Sequence, residues 1–126
     1  MPVAPSSRTI GRAVGITVDG AGNVLTTGVK GYIWCPYAGR VQAWYVVADQ
    51  PGSIQMDVWK VAGPAIPTGA NSIVGADFPT LAAQQAASNT VLTLWSLPVS
   101  VGDMFGFSIN SVATIKRVTL VVRVDS

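Results

Sequence analysis

The chain has 126 residues with 8 basic and 6 acidic side chains, 11% charged in all; that is one domain's length at less than half the charge of an ordinary soluble domain, about 25%. Histidine and glutamate are absent, which removes the commonest general base and metal ligand, and a net charge of +2 on scattered basic residues leaves no nucleic-acid footprint. A 13.1 kDa chain of mean hydropathy +0.44 keeps roughly 6,400 Å² of surface after folding, so these few ionised groups leave much of it uncharged, and other subunits are expected to cover part.

The residues Pro2, Val3, Pro5 and Arg8 belong to a Pro/Ser-rich segment. It lacks the apolar core of a signal peptide and reads, over residues 1–12, as an extended arm that orders on a partner. The remainder, 13–126, reads as one β-sandwich domain. Val14, Ile16 and Val18 alternate with Ala13, Gly15 and Thr17, the period of a strand. Asp19-Gly20-Ala21-Gly22-Asn23 follows as a turn; it lacks the further oxygen ligands of a calcium loop.

A second strand is predicted over Val29 to Cys35. Tyr32 and Trp34 share one face and Ile33 and Cys35 the other, so a core-facing Cys35 puts Tyr32 and Trp34 outside. A third runs from Arg40 to Ala48, with Val41, Ala43, Tyr45 and Val47 on one face and Gln42, Trp44, Val46 and Ala48 on the other. Both faces are largely apolar, the mark of a strand covered on both sides. Asp49-Gln50-Pro51-Gly52 carries a turn signal, so the fourth strand, Ser53 to Val61, is expected to return as a hairpin.

From Ala62 to Asn89 the alternation breaks down. Thr80 to Ala87 suggests a short helix after Pro79, inside one long irregular loop. Between Val61 and Gly102 the only charge is Asp77. A long uncharged excursion is a candidate partner-contact surface; the alternative is an uncharged polar loop. Strands resume at Thr90 to Trp95, Met104 to Asn110 and Ile115 to Val124. The fold class is therefore all-β, an antiparallel β-sandwich, jelly-roll-like or Ig-like. The longest charge-free run, Phe78 to Gly102, is interrupted by Pro79, Gln84, Gln85, Asn89 and Pro98 and is not expected to span a membrane.

Chemistry has little to work with. Cys35 is the lone cysteine, so no internal disulfide forms, and it reads as a small buried hydrophobe. The aspartates sit mainly in turns. Nucleophile-elbow, phosphate-loop and dinucleotide glycine patterns are absent. No catalytic, metal or cofactor-binding residues are assigned, and the chain is not expected to be an enzyme. The tryptophans Trp34, Trp44, Trp59 and Trp95 read as core, as interface anchors or as sugar-stacking platforms. The candidate contact surface is Tyr32, Trp34, Trp59, Ile66, Ile73 and Phe78.

Several segments then point to a family. They are Gly28-Val29-Lys30-Gly31, Cys35-Pro36-Tyr37-Ala38-Gly39, Ala48-Asp49-Gln50-Pro51-Gly52-Ser53-Ile54 and Asp57-Val58-Trp59-Lys60, with Pro79-Thr80-Leu81, Leu94-Trp95, Gly102-Asp103, Phe107 and Arg117-Val118-Thr119-Leu120. Together, over about residues 14 to 124, they resemble a β-sandwich domain of tailed-bacteriophage virion proteins, often found at the C-terminal end of tail-fibre proteins. The segments ADQPGSI and DVWK carry the most specific part. The chain departs from that pattern at Val61-Ala62-Gly63-Pro64-Ala65-Ile66-Pro67, where family members tend to be aromatic and more acidic. That casts doubt on any shared ligand site in this loop.

The resemblance implies a phage structural protein located in the virion, in a symmetric oligomer, and no reaction. With only about a dozen residues ahead of the first strand, no fibre shaft is expected upstream. The expectation is a capsid decoration or cement protein, a dimer or trimer bound to the major capsid protein. A fibre-tip or spike domain that binds host-surface glycans is the alternative, and a glycan depolymerase the weakest of the three.

Overall fold

The computed structural model describes residues 10–126. The expected arm residues Pro2, Val3, Pro5 and Arg8 lie outside the described residues. The strands are β1 (Gly11–Asp19), β2 (Gly28–Cys35), β3 (Gly39–Ala62), β4 (Thr80–Asn89), β5 (Pro98–Val99), β6 (Asp103–Ala113) and β7 (Arg117–Asp125). Among the described residues the helical element is one 3-10 turn, Gly69–Asn71. The expected antiparallel all-β sandwich of jelly-roll-like form is what the chain adopts.

β3 is the spine. Its second half, Ser53 to Ala62, pairs with β6, and its first half, Arg40 to Ala48, pairs with β7. β6 and β7 therefore follow one another along one edge of β3. β4 lies along the other edge, from Trp44↔Asn89 to Gln55↔Thr80. β1 extends one half of this bent sheet beside β7, and β2 extends the other half beside β6. The two halves fold face to face. Phe105, Phe107 and Ile109 of one half and Leu120, Val122 and Val124 of the other join a single core with Val14, Val58 and Leu81.

Four local expectations are corrected here. The hairpin at Asp49-Gln50-Pro51-Gly52 is not formed, and the chain runs on through a corner. The β4 ladder skips from Val47↔Ala86 to Gly52↔Gln84 there, so Pro51 sits where no ladder bond needs its missing N–H. The Asp49 side chain is committed to the opposite strand pair. Its Oδ1 accepts from the backbone N–H groups of Lys116 and Arg117, each at 3.1 Å. Gln50 Nε2 donates to the Thr114 carbonyl at 2.9 Å. Desolvation works against the Asp49 charge, but the backbone bonds from Lys116, Arg117 and Asp49 itself and the Arg117 charge outweigh it and hold the carboxyl below its ordinary value.

The expected helix at Thr80 to Ala87 is the strand β4. Alanine favours helix by propensity alone, but the open edge of β3 needs partners for its backbone groups. Conversely, the strand expected at Thr90 to Trp95 is a turn, and its Leu92 and Trp95 drop into the core. A register shift between Val41 and Ala43 also splits the face read as Val41, Ala43, Tyr45 and Val47, and the strand is not covered on both sides. Val41, Trp44, Val46 and Ala48 point inward, while Tyr45 and Val47 are exposed.

Candidate contact surfaces

The outer face of the β2–β6–β3 half carries most of the expected contact residues. Register places Tyr32 opposite Gly106 and Trp34 opposite Met104. On the far side of β6, Trp59 is opposite Gly106 and Val61 opposite Met104. Gly106 thus lies between two aromatic rows and has no side chain to fill the gap. Pro67, from the loop after β3, fills it. A Cβ on Gly106 would meet Pro67 Cγ at 3.0 Å, Trp59 Cε3 at 3.2 Å and Tyr32 Cδ1 at 3.2 Å. The same loop begins under Trp34, because a Cβ on Gly63 would come 2.4 Å from Trp34 Cζ3.

The loop is clasped by a buried carboxylate. Asp57 is 8% exposed. Its Oδ2 accepts from Trp59 Nε1 at 3.1 Å and its Oδ1 from Ser72 Oγ at 2.7 Å. Backbone pairing adds Ile73 N–H to the Val58 carbonyl at 3.0 Å. Thr68 and Asn71 form a capping box around the 3-10 turn. What remains outside is Tyr32 (47% exposed), Trp34 (54%) and, next to Pro67 in the loop, Ile66 (55%).

Trp59 and Ile73 are corrections to the sequence reading. They are 8% and 6% exposed, because the loop folds back over Trp59 and its continuation feeds Ile73 into the core. Phe78 is half-buried and packs against that core. Trp44 and Trp95 are also buried, so Trp34 alone of the tryptophans is presented to solvent.

The ionised groups nearby are already paired. Lys60 Nζ sits 3.2 Å from Asp103 Oδ2, which also accepts the Ser100 N–H at 2.8 Å. Cys35 is fully buried, and its Sγ donates to the Tyr37 carbonyl at 3.3 Å. Burial, aided by the Asp103 charge, pushes the thiol above its ordinary pKa. Among the described residues no group of three or more Cys and Asp side chains gathers as a metal site would need.

A second surface lies on the outer face of the other half. Tyr45 is flanked by Val121 and Ser88, and Val47 by Thr119 and Ala86. These side chains line an open apolar groove of about 410 Å³. Tyr45 is 39% and Val47 50% exposed. Sequence reasoning did not select these residues. The signal was available, since both faces of the third strand were apolar, but the bulge decides which of the two is left outside.

No family model matches the chain, and no curated protein matches it. A solved structure, that of infectious bursal disease virus Gx strain, aligns over 98% of this chain at 8% identity, with a TM-score of 0.32. The aligned region spans 41% of that chain's length.

Proposed function

We propose that this protein is a structural subunit of a tailed-bacteriophage virion, a capsid decoration or cement protein that acts by covering apolar surface between neighbouring subunits. One observation carries the reading. Two exposed apolar faces, Tyr32/Trp34/Ile66 and Tyr45/Val47 beside half-buried Val121, lie on opposite halves of one sandwich. A single copy with contacts on both sides can bridge two neighbours, which is what cementing requires. Tyr32, Trp34, Tyr45, Val47 and Val121 stand on ladder-paired strands, so little ordering is needed at those positions on binding. The resemblance over residues 14 to 124 supports the same assignment, as does the sparse charge.

The driving force is burial of apolar area at roughly 25 cal/mol per Å², less the association costs. Co-sedimentation of the purified protein with shells of the phage's major capsid protein tests the reading. The expected result is saturable binding that Trp34→Lys and Tyr45→Lys each weaken. Shells that pellet free of the protein would overturn it.

The exposed Trp34 indole favours one second reading, a module that stacks host-surface sugars. A glycan array separates the two: binding lost in Trp34→Ala and Tyr32→Ala would establish it. Trp59 has no place among those variants, because its ring is buried.

A further inference from the structure

The groove on the outer face of the second half is open among the described residues. Tyr45 and Val47 of β3, Val121 and Thr119 of β7, and Ala86 and Ser88 of β4 line it, and none of them is charged. At about 410 Å³ it has the size of a small-ligand pocket and takes a few side chains. It offers little to a polar guest. Thr119 Oγ1 is already hydrogen-bonded to Thr17 Oγ1 at 2.8 Å, and backbone N–H groups laid on apolar side chains would lose their water without gaining partners. The occupant that suits it is uncharged, apolar and poor in N–H groups.

The chain carries such a segment. Pro2-Val3-Ala4-Pro5 is uncharged and apolar, and two of its four residues are proline. Proline has no backbone N–H and its φ is fixed, so this run brings few donors into the groove and loses little freedom there.

The course of β1 decides which copy supplies it. Ile10 extends the pairing with β7, its N–H donating to Ser126 Oγ and its carbonyl accepting the Ser126 N–H, each at 3.0 Å. β1 then runs from beside Asp125 to beside Arg117, so the chain enters the sheet from beyond Asp125. Val121 lies five residues the other way from Ser126, about 17 Å at the strand rise. To reach it within one copy, residues 6–9 would have to reverse the chain as a four-residue turn. Residues 5 to 2 then advance about 10 Å and stop short of Tyr45 and Val121. A neighbouring copy set beyond the Asp125 end is under no such limit.

We propose that residues 2–5 of one copy lie in the Tyr45/Val47/Val121 groove of the next. Donor and acceptor surfaces differ, so the contact is heterologous: each copy gives one arm and receives one, and the assembly closes as a ring or runs on as a chain. The proposal names the occupant of one of the two faces in the functional reading. It rests on that face being a subunit contact and does not rest on the shell.

Sedimentation velocity of the full chain, from about 1 to about 200 µM, covers the dissociation constants typical of a small contact. Association is expected toward the upper end. Val3→Asp and Val47→Lys are each expected to raise the dissociation constant about tenfold or more, with far-UV spectra unchanged. Combined in one chain they are expected to recover at least about threefold of that loss, because the two new charges attract across the contact. Should Val47→Lys lose its native spectrum, Val3→Asp and a cross-link carry the test. A chain with Val3→Cys, mixed and oxidised with a chain with Ser88→Cys, is expected to give a disulfide-linked pair; Cys35 is buried and stays out of it. A wild type that is monomeric throughout the range overturns the proposal. So does association indifferent to Val3→Asp, a loss that the natively folded double variant does not recover, or a chain with both cysteine substitutions that links within itself when dilute. Shell binding by a strictly monomeric protein would leave the virion reading standing and remove this one; arm exchange by a protein that ignores shells would do the reverse.

Discussion

Asp57→Ala tests how the aromatic face is held. The carboxylate receives the indole N–H of Trp59 and the hydroxyl of Ser72, and through them it ties the loop to the outer face of β3. A hydrogen bond to a charged group contributes about 1.5–3 kcal/mol, so two of them place the gross loss at about 3–6 kcal/mol. Removing the carboxylate also relieves the desolvation of a buried charge, and Ser72, already exposed, can turn its hydroxyl to water. The net expectation is therefore near the lower figure, about 3 kcal/mol, or roughly 12 °C in Tm at about 4 °C per kcal/mol for a chain of this size. Asp57→Asn keeps one acceptor and offers an N–H that the Ser72 hydroxyl can accept, so it is expected to lose less than half as much. Calorimetry with urea titration reads both variants, and amide exchange across residues 63–79 reads the loop. A loss under about 1 kcal/mol for the alanine variant, or equal losses for the two, would refute the clasp.

Other changes probe separate parts of the same argument. Gly106→Val drives a branched side chain into Pro67, Trp59 and Tyr32 and is expected to lose about 2–3 kcal/mol; denaturant midpoints unchanged from wild type would contradict the close packing. Trp95 Nε1 donates to the Asp77 carbonyl at 2.9 Å, whereas buried Trp44 Nε1 has no hydrogen-bond partner among the described residues. Trp95→Phe is therefore expected to lose about 1 kcal/mol more than Trp44→Phe, and the reverse order in thermal melts would sink that reading. The Asp49 carboxyl is held below its ordinary value, so its contribution is complete above the unfolded pKa and fades as pH falls through the lower folded one; Asp49→Asn is expected to flatten the acid limb of stability against pH, and a limb as steep as wild type would exclude the corner role. Cys35 is expected to resist alkylation at pH 8 in the native state and to react at once in denaturant; rapid native labelling would mean that the β2 end of the core is open.

Much of the fold was written in the order of the residues. Period-two alternation located β1, β2, β6 and β7 to within a few positions. The same alternation put Tyr32 and Trp34 on the face opposite Cys35, because a strand's two faces are fixed by parity alone. Parity fails where a bulge intervenes, and the bulge at Val41 to Ala43 left Tyr45 and Val47 outside with no local sign of which face would win. The Asp-Gln-Pro-Gly segment reads as a turn because a corner and a turn use the same residues. Only the opposing chain at Thr114 to Arg117, which claims the side chains of Asp49 and Gln50, decides between them. TLAAQQAA is a strand because β3 has an edge to satisfy, and Trp59 is buried because a loop several residues later folds back over it. Residue type and spacing determined β1, β2, β6 and β7 and the outward face of Tyr32 and Trp34. Which edges and faces stay open depends on long-range pairing, because each burial is settled by what lies across from it.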